Sequence, residues 1–209
     1  MKYLLLDVAG TLLYKPTLQP KMLEVLASHG YSVDPDTLKY HHKIFTETIF
    51  FPDRTSREFY QHFNRELLLS LGIIPSDNLL EDIFSNCSYL PWEPFPDTAV
   101  LAQMDVPMGI ISNFNTTLKD KLEANFNVKF AHVLVSEELG IHKPSVAFYQ
   151  RAIDQIGIDP QDIVYVGDSI KLDLEPALKL GIRALLIDRD RYFRLQTNRI
   201  SSLAELKEI

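Results

Sequence analysis

Cysteine is nearly absent from this 209-residue chain. Cys87 stands alone, so no internal disulfide can form, and nothing in the cysteine pattern marks a secreted scaffold. Basic residues are too few to build an electropositive field: Lys and Arg total 21 against 28 Asp and Glu, a formal net charge of −7. That balance argues against nucleic acid or an anionic membrane as partner, while leaving room for a local basic pocket that takes a small anion. Long apolar runs are missing as well, with no stretch approaching the roughly 18 residues of a membrane span. Met1-Lys2-Tyr3-Leu4-Leu5-Leu6 begins like a signal peptide, but Asp7 ends the run early and no cleavage pattern follows. The expected location is cytoplasmic. Repeats, low-complexity tracts and charge blocks are also absent. Cys87, in Asn86-Cys87-Ser88 near the end of an expected helix, has no nucleophile signature around it and reads as a packed core thiol.

Hydrophobic residues make up 46% of the chain, enough for a sizeable core. They recur in short continuous runs: Tyr3 to Leu6, Met108 to Ile111, Val133 to Val135, Ile163 to Val166 and Ala184 to Ile187. Runs of this kind, rich in Val, Ile and Leu without alternation, are those of parallel strands buried on both faces. From Met108 onward they alternate with helical stretches, Thr116 to Asn125, Ser145 to Ile156 and Leu174 to Leu180, which predicts βαβ units. Residues from about Leu18 to Leu90 have a different texture. Four helices fit there, near Pro20 to Ser28, Pro35 to Ile49, Ser56 to Leu71 and Asp77 to Ser88, divided by Gly30, Pro52 and Gly72-Ile73-Ile74-Pro75. Pro91, Pro94 and Pro96 read as a stiff link back to the α/β pattern. The fold class expected is α/β: a Rossmann-like parallel-sheet core over residues 1–16 and 92–209, with an α-helical insert over 17–91.

In a parallel sheet, ligands bind outside the carboxyl ends of the strands. The polar residues just after the apolar runs are therefore the candidates. They are Asp7, followed by Val8-Ala9-Gly10-Thr11; Ser112-Asn113; Lys143-Pro144, which precedes a helix; and Gly167-Asp168-Ser169, with Asp173 five residues beyond Asp168. Each has a plainer reading. Asp7 could cap a turn, Ser112 could be a loop residue and Lys143 a solvated lysine. Asp168-Ser169 could be turn residues, and Asp173 could cap a helix that has Pro176 in its first turn. An unused carboxylate directly after three leucines is costly, however. Together the set supplies a carboxylate nucleophile, a hydroxyl donor, a cation and two further carboxylates at one sheet edge.

In spacing and order these four groups resemble the motifs of the haloacid dehalogenase (HAD) superfamily, subfamily I, whose helical C1 cap lies between the first and second motifs. The resemblance implies a hydrolase that uses Asp7 as nucleophile and forms an aspartyl-phosphate. Ser112, Asn113 and nearby backbone N–H groups would hold substrate oxygens, and Lys143 would neutralise phosphoryl charge. Mg²⁺ would be held by Asp7, the Ala9 carbonyl and Asp168, with Asp173 as a further metal residue acting from behind these ligands or through water and also orienting Lys143. With three carboxylates against one lysine, the site would repel a phosphate dianion unless a cation were bound. The implied partner is a small phosphorylated molecule; oligomeric state is not legible.

The chain departs from the pattern at Ala9, where most HAD phosphatases carry a second aspartate as general acid and base. A methyl group cannot transfer protons, and loss of such a group costs typically ~10²–10⁴ in rate. Residues Ile110 to Phe148 most resemble a branch of haloacid dehalogenase-like domain-containing proteins, several members of which also lack this aspartate. Alternatives follow: leaving groups that need no proton, dehalogenase or phosphonate-cleaving chemistry, or a phosphate-liganded binding protein. Retention of Asp168 and Asp173 disfavours the dehalogenase, and neither Lys39 nor Lys43 sits in a recognisable Schiff-base motif. His41, His42 and His142 lack ligand spacing. The aromatics Tyr40, Phe45, Phe50, Phe51, Phe59, Tyr60 and Phe63 read as the core of the insert.

Overall fold

The computed structural model describes residues 1–209. In chain order, β1 (Tyr3–Leu6) and β2 (Leu13–Tyr14) lead into four helices, α1 (Leu18–Ser28), α2 (Pro35–Thr48), α3 (Arg57–Ser70) and α4 (Asp77–Cys87). Then come β3 (Glu93–Pro94), β4 (Met108–Ser112), α5 (Leu118–Asn125), β5 (His132–Val135), α6 (Ser136–Leu139) and α7 (Val146–Ile156). After these come β6 (Ile163–Gly167), α8 (Glu175–Lys179), β7 (Arg183–Ile187), β8 (Arg199–Ile200) and a 3₁₀ segment, Leu203–Glu208. The sheet order is β5-β4-β1-β6-β7-β8, and every pairing in it is parallel. This is the Rossmann-like α/β core with a helical insert that the alternation predicts. No helix is long and apolar enough to cross a membrane.

The chain divides into two compact units, residues 1–14 with 93–209, and residues 15–92. In the first, β1 is central, so Leu4, Leu5 and Leu6 are all fully buried. Its core continues through Ile111, Phe148, Tyr149, Tyr165 and Leu186. The second unit has its own core, built on Leu26, Leu38, Phe63, Leu67 and Ile83. Three of its four helices start where a side chain satisfies an orphan amide: Asp34, Ser56 and Ser76 accept from the N–H groups of Thr37, Phe59 and Leu79.

Besides the short helix α6 and the 3₁₀ segments Pro96–Gln103 and Leu203–Glu208, the sequence reading missed three features. One is the two-residue edge strand β8. Another is the antiparallel ribbon of β2 with β3, where Leu13 faces Pro94 and Tyr14 faces Glu93. Both are too short to show a period, and Pro94, expected only as a stiff link, is tolerated because it lies on an edge. The third lies before α8. The expected helix from Leu174 is preceded by one π-helical turn, Ile170–Leu174, where the N–H groups of Asp173 and Leu174 both reach the Ser169 carbonyl. Turns of this width recur at functional sites, and this one carries Asp173.

Candidate active site

Asp7 follows β1 directly. Its backbone N–H still bonds the Val166 carbonyl at 2.9 Å, so its position is set by the sheet. Beyond it the chain winds tightly: the N–H groups of Thr11, Leu12 and Leu13 all donate to the Val8 carbonyl. Gly10 sits in this loop at φ +83°, and a Cβ there would lie 2.3 Å from Asp168 Oδ2. Both the backbone angle and the close approach of the carboxylate therefore demand glycine.

The Asp7 carboxylate is 4% exposed. Its Oδ1 accepts from Lys143 Nζ at 2.6 Å and Ser112 Oγ at 3.2 Å, and its Oδ2 accepts from Thr11 Oγ1 at 3.3 Å. Burial pushes its pKa up to about 6; the positive charge of Lys143 opposes the shift, and Asp173 and Asp168 reinforce it. Burial works against the Lys143 ammonium too, but the carboxylates of Asp173 and Asp7 outweigh it and raise the lysine pKa. The lysine is thus a fixed cation.

Lys143 is held from two sides. Its Nζ lies 2.7 Å from Asp173 Oδ1. Its main chain is gripped by Asn113, whose Oδ1 accepts from the Lys143 N–H at 2.7 Å and whose Nδ2 donates to the Lys143 carbonyl at 3.0 Å. Asn113, expected among the substrate-binding residues, thus has both ends of its amide engaged with the lysine backbone. Asp173 is almost fully engaged as well. Its Oδ1 also accepts from Tyr165 Oη at 2.6 Å and more distantly from Tyr149 Oη at 3.5 Å, and its Oδ2 accepts from the Ser169 N–H at 2.9 Å. Gly167 makes room for this carboxylate, since a Cβ there would lie 2.3 Å from the Asp173 carboxyl carbon. Burial first, and the charge of Asp173 second, raise both phenols well above their ordinary pKa, so they remain donors.

Carboxylate oxygens of Asp7, Asp168 and Asp173 lie within 4.8 Å of one another. This acidic cluster, all hard oxygen donors with a half-buried Asp168 at its rim, could hold a divalent cation. The loop offers one more oxygen. Its ladder bonds use Val8 and Gly10 on either side of Ala9, so the Ala9 carbonyl takes no part in them. Asp7, Ser112, Asn113, Lys143, Asp168 and Asp173 thus come together in one place. Sequence reasoning missed Thr11, Tyr149 and Tyr165. A tyrosine inside an apolar strand or helix gives no sign of where its hydroxyl goes, but Thr11 was within reach as the hydroxyl residue four positions after Asp7.

The family model for haloacid dehalogenase-like hydrolases matches residues 1–181. The chain belongs to that family. As a haloacid dehalogenase-like hydrolase it has relatives named glyceraldehyde 3-phosphate phosphatase. The one from Methanothermobacter thermautotrophicus is 26% identical over 89% of this chain and 78% of its own length. The one from Methanocaldococcus jannaschii is 30% identical over 56% of each chain, so this chain spans little more than half of that relative. Among solved structures, a 2-haloacid dehalogenase from Pseudomonas syringae pv. tomato aligns over 100% of this chain and 97% of its own, with a TM-score of 0.55 and 22% identity. That likeness is one of fold.

The remaining candidates fall outside the cluster. Cys87 is buried in the helical unit, where burial pushes its thiol up to about 11, as suits a core residue. His41 bonds Ser70 Oγ, and His42 packs edge-on against Phe63, with burial holding its pKa down to about 4. Lys43 pairs with Glu47 at 3.1 Å. Phe45, Phe51, Phe59 and Phe63 belong to the helical core as expected, whereas Tyr40 and Phe50 are exposed.

Proposed function

We propose that this hydrolase is a Mg²⁺-dependent phosphatase of small phosphorylated metabolites whose leaving groups need no proton, acyl or aryl phosphates first among them. One observation carries the reading: a buried lysine and a serine hydroxyl share Asp7 Oδ1, with two more carboxylates within 4.8 Å. Relatives named for glyceraldehyde 3-phosphate, an alkyl phosphate, support the phosphorylated class, while the preference for better leaving groups rests on Ala9 alone. A net charge of −7 and the lack of a membrane-spanning helix fit a cytoplasmic protein that handles small molecules.

The oxygen donors suit Mg²⁺, with Asp7, Asp168 and the Ala9 carbonyl as its protein ligands. When bound, the cation would offset the site's excess negative charge and polarise the phosphoryl oxygens. Asp7, as the ionised carboxylate, attacks phosphorus. A carboxylate–phosphorus bond forms as the bond to the leaving oxygen breaks, and that oxygen departs as an anion. Ser112 and Lys143, already converging on Asp7, hold the transferring oxygens and their charge. Asn113 fixes the lysine backbone, and Asp173, supported by Tyr165, fixes its ammonium. Water then cleaves the aspartyl-phosphate. Ala9 has no carboxylate to activate that water or to protonate an alkoxide, so alkyl esters are poor substrates and the second step is slow.

Hydrolysis of acetyl phosphate, p-nitrophenyl phosphate and an alkyl phosphate, with and without Mg²⁺, tests this. Turnover of the first two is expected, dependent on Mg²⁺ and lost in Asp7→Asn. Ala9→Asp is expected to raise alkyl phosphate turnover by about 10²-fold. If halide were released from a 2-haloacid while all three phosphates stayed intact, the dehalogenase reading, which shares this fold, would replace the phosphatase.

A further inference from the structure

Arg189 lies just after β7 and reaches back to the loop that follows Asp7. Its Nη1 donates to the Gly10 carbonyl at 3.1 Å and its Nη2 to the Thr11 carbonyl at 2.9 Å. The same guanidinium grips Asp97 with two bonds, Nε to Oδ2 at 3.0 Å and Nη2 to Oδ1 at 2.9 Å. It also lies over the Phe95 ring, 3.7 Å from the centroid, and that ring stacks on Tyr14 at 4.2 Å and 13°. Asp97 is anchored in turn by the Leu203 N–H at 3.0 Å.

The loop's carbonyls are thereby divided. Gly10 and Thr11 give theirs to Arg189, and Leu12 gives its own to the Phe95 N–H at 2.9 Å. The Ala9 carbonyl accepts none of these bonds. The Ala9–Gly10 peptide is held by its own Gly10 N–H bond to the Leu13 carbonyl at 2.8 Å, and Arg189 anchors the two peptides that follow, so only the Gly10 dihedrals are left to relate them. A planar fork with several donors can hold two carbonyls and a carboxylate at once; a lysine ammonium at the end of a flexible stem cannot keep that geometry.

We infer that Arg189 is a positioning residue for the metal loop: by tying down the Gly10 and Thr11 carbonyls it leaves the Ala9 carbonyl as the loop's outward acceptor, while Asp97 and Phe95 hold the guanidinium itself. The metal part of this inference rests on the Mg²⁺ site proposed above; the hold on the loop does not. The test compares the whole chain with Arg189→Lys by three readouts: Mg²⁺ titration of metal-free protein by calorimetry, amide exchange over residues 8–13, and thermal melting. Arg189→Lys is expected to weaken Mg²⁺ binding by about tenfold or more, as loss of a group orienting a ligand does. Exchange should quicken over residues 8–13 while the helical unit keeps its wild-type exchange. Phe95→Leu removes the ring beneath the guanidinium but spares its hydrogen bonds. It should weaken Mg²⁺ binding in the same direction by a smaller factor, and it serves as the test if Arg189→Lys does not fold. A folded Arg189→Lys with wild-type Mg²⁺ affinity and wild-type exchange over residues 8–13 overturns the inference. Faster loop exchange in a chain whose wild type binds no Mg²⁺ sustains the hold on the loop and rejects the metal reading instead.

Discussion

Asp7 meets two opposed demands, to be buried and to be charged, and most of the site's chemistry follows from how its neighbours reconcile them. In the metal-free protein its pKa stands at about 6 against an ordinary 3.8. A carboxyl raised on folding contributes stability below the unfolded value and loses it as pH rises through the folded one, so this contribution fades between about pH 4 and 6. Asp7→Asn keeps the shape without the charge. Relative to wild type it should gain stability between pH 4 and 7, on the order of 1–3 kcal/mol, in denaturant melts at the two pH values. A gain that does not vary with pH would count against the buried charge as its source. Mg²⁺ and the proton compete for the same oxygens, so metal affinity should fall as pH drops below about 6. Tyr165 is the second residue-scale case. Its hydroxyl donates to Asp173 Oδ1 at 2.6 Å, on the oxygen that also holds Lys143. Tyr165→Phe should cost about 1–3 kcal/mol of stability and lower kcat more than it changes KM. An unchanged kcat would remove Tyr165 from the machinery.

At the scale of elements, the site depends on two short irregular segments, the loop after β1 and the π turn before α8. Each requires a glycine. Gly10→Ala meets both a positive φ and the Asp168 carboxylate at 2.3 Å, so it should cost well over about 1 kcal/mol and abolish metal binding. Gly30→Ala, at φ +84° with nothing within 4 Å, isolates the backbone part of that cost. Equal stability costs for the two variants would mean that Asp168 is not crowded there. These segments also mark where the sequence stops being readable. Tyr3–Leu6, Met108–Ser112 and Ile163–Gly167 are legible because burial on both faces forces continuous apolar runs. The four insert helices are legible from the glycine and proline breaks between them, and three of them carry N-cap side chains as well. Asp7, Ser112, Lys143 and Asp168 are legible because a parallel sheet gathers the residues at its carboxyl edge. Tyr149, Tyr165 and Arg189 are not. Their partners lie 24, 8 and 92 residues away along the chain, and nothing local in the sequence encodes those contacts. Asp173 reads as a helix cap, a metal ligand or a group that orients Lys143, and the π turn delivers it to Lys143.

Across the whole molecule, the fold alone leaves the reaction open, since the chain shares it with a 2-haloacid dehalogenase while some of its sequence relatives carry a phosphatase name. Both chemistries can begin with attack by an aspartate, and they differ in what that aspartate then carries. The distinguishing feature is local: Ala9 provides no group to hasten release of a phosphoryl group from Asp7. The intermediate should therefore persist. The most direct measurement is to mix the protein with acetyl phosphate and Mg²⁺, quench in acid, and locate the added phosphoryl group by peptide mass spectrometry. The expected result is a phosphoryl group on the peptide that contains Asp7, absent without Mg²⁺ and in Asp7→Asn, and reduced in Ala9→Asp as its hydrolysis quickens. Turnover with no phosphorylated Asp7 peptide, or with the group on another residue, would contradict the account.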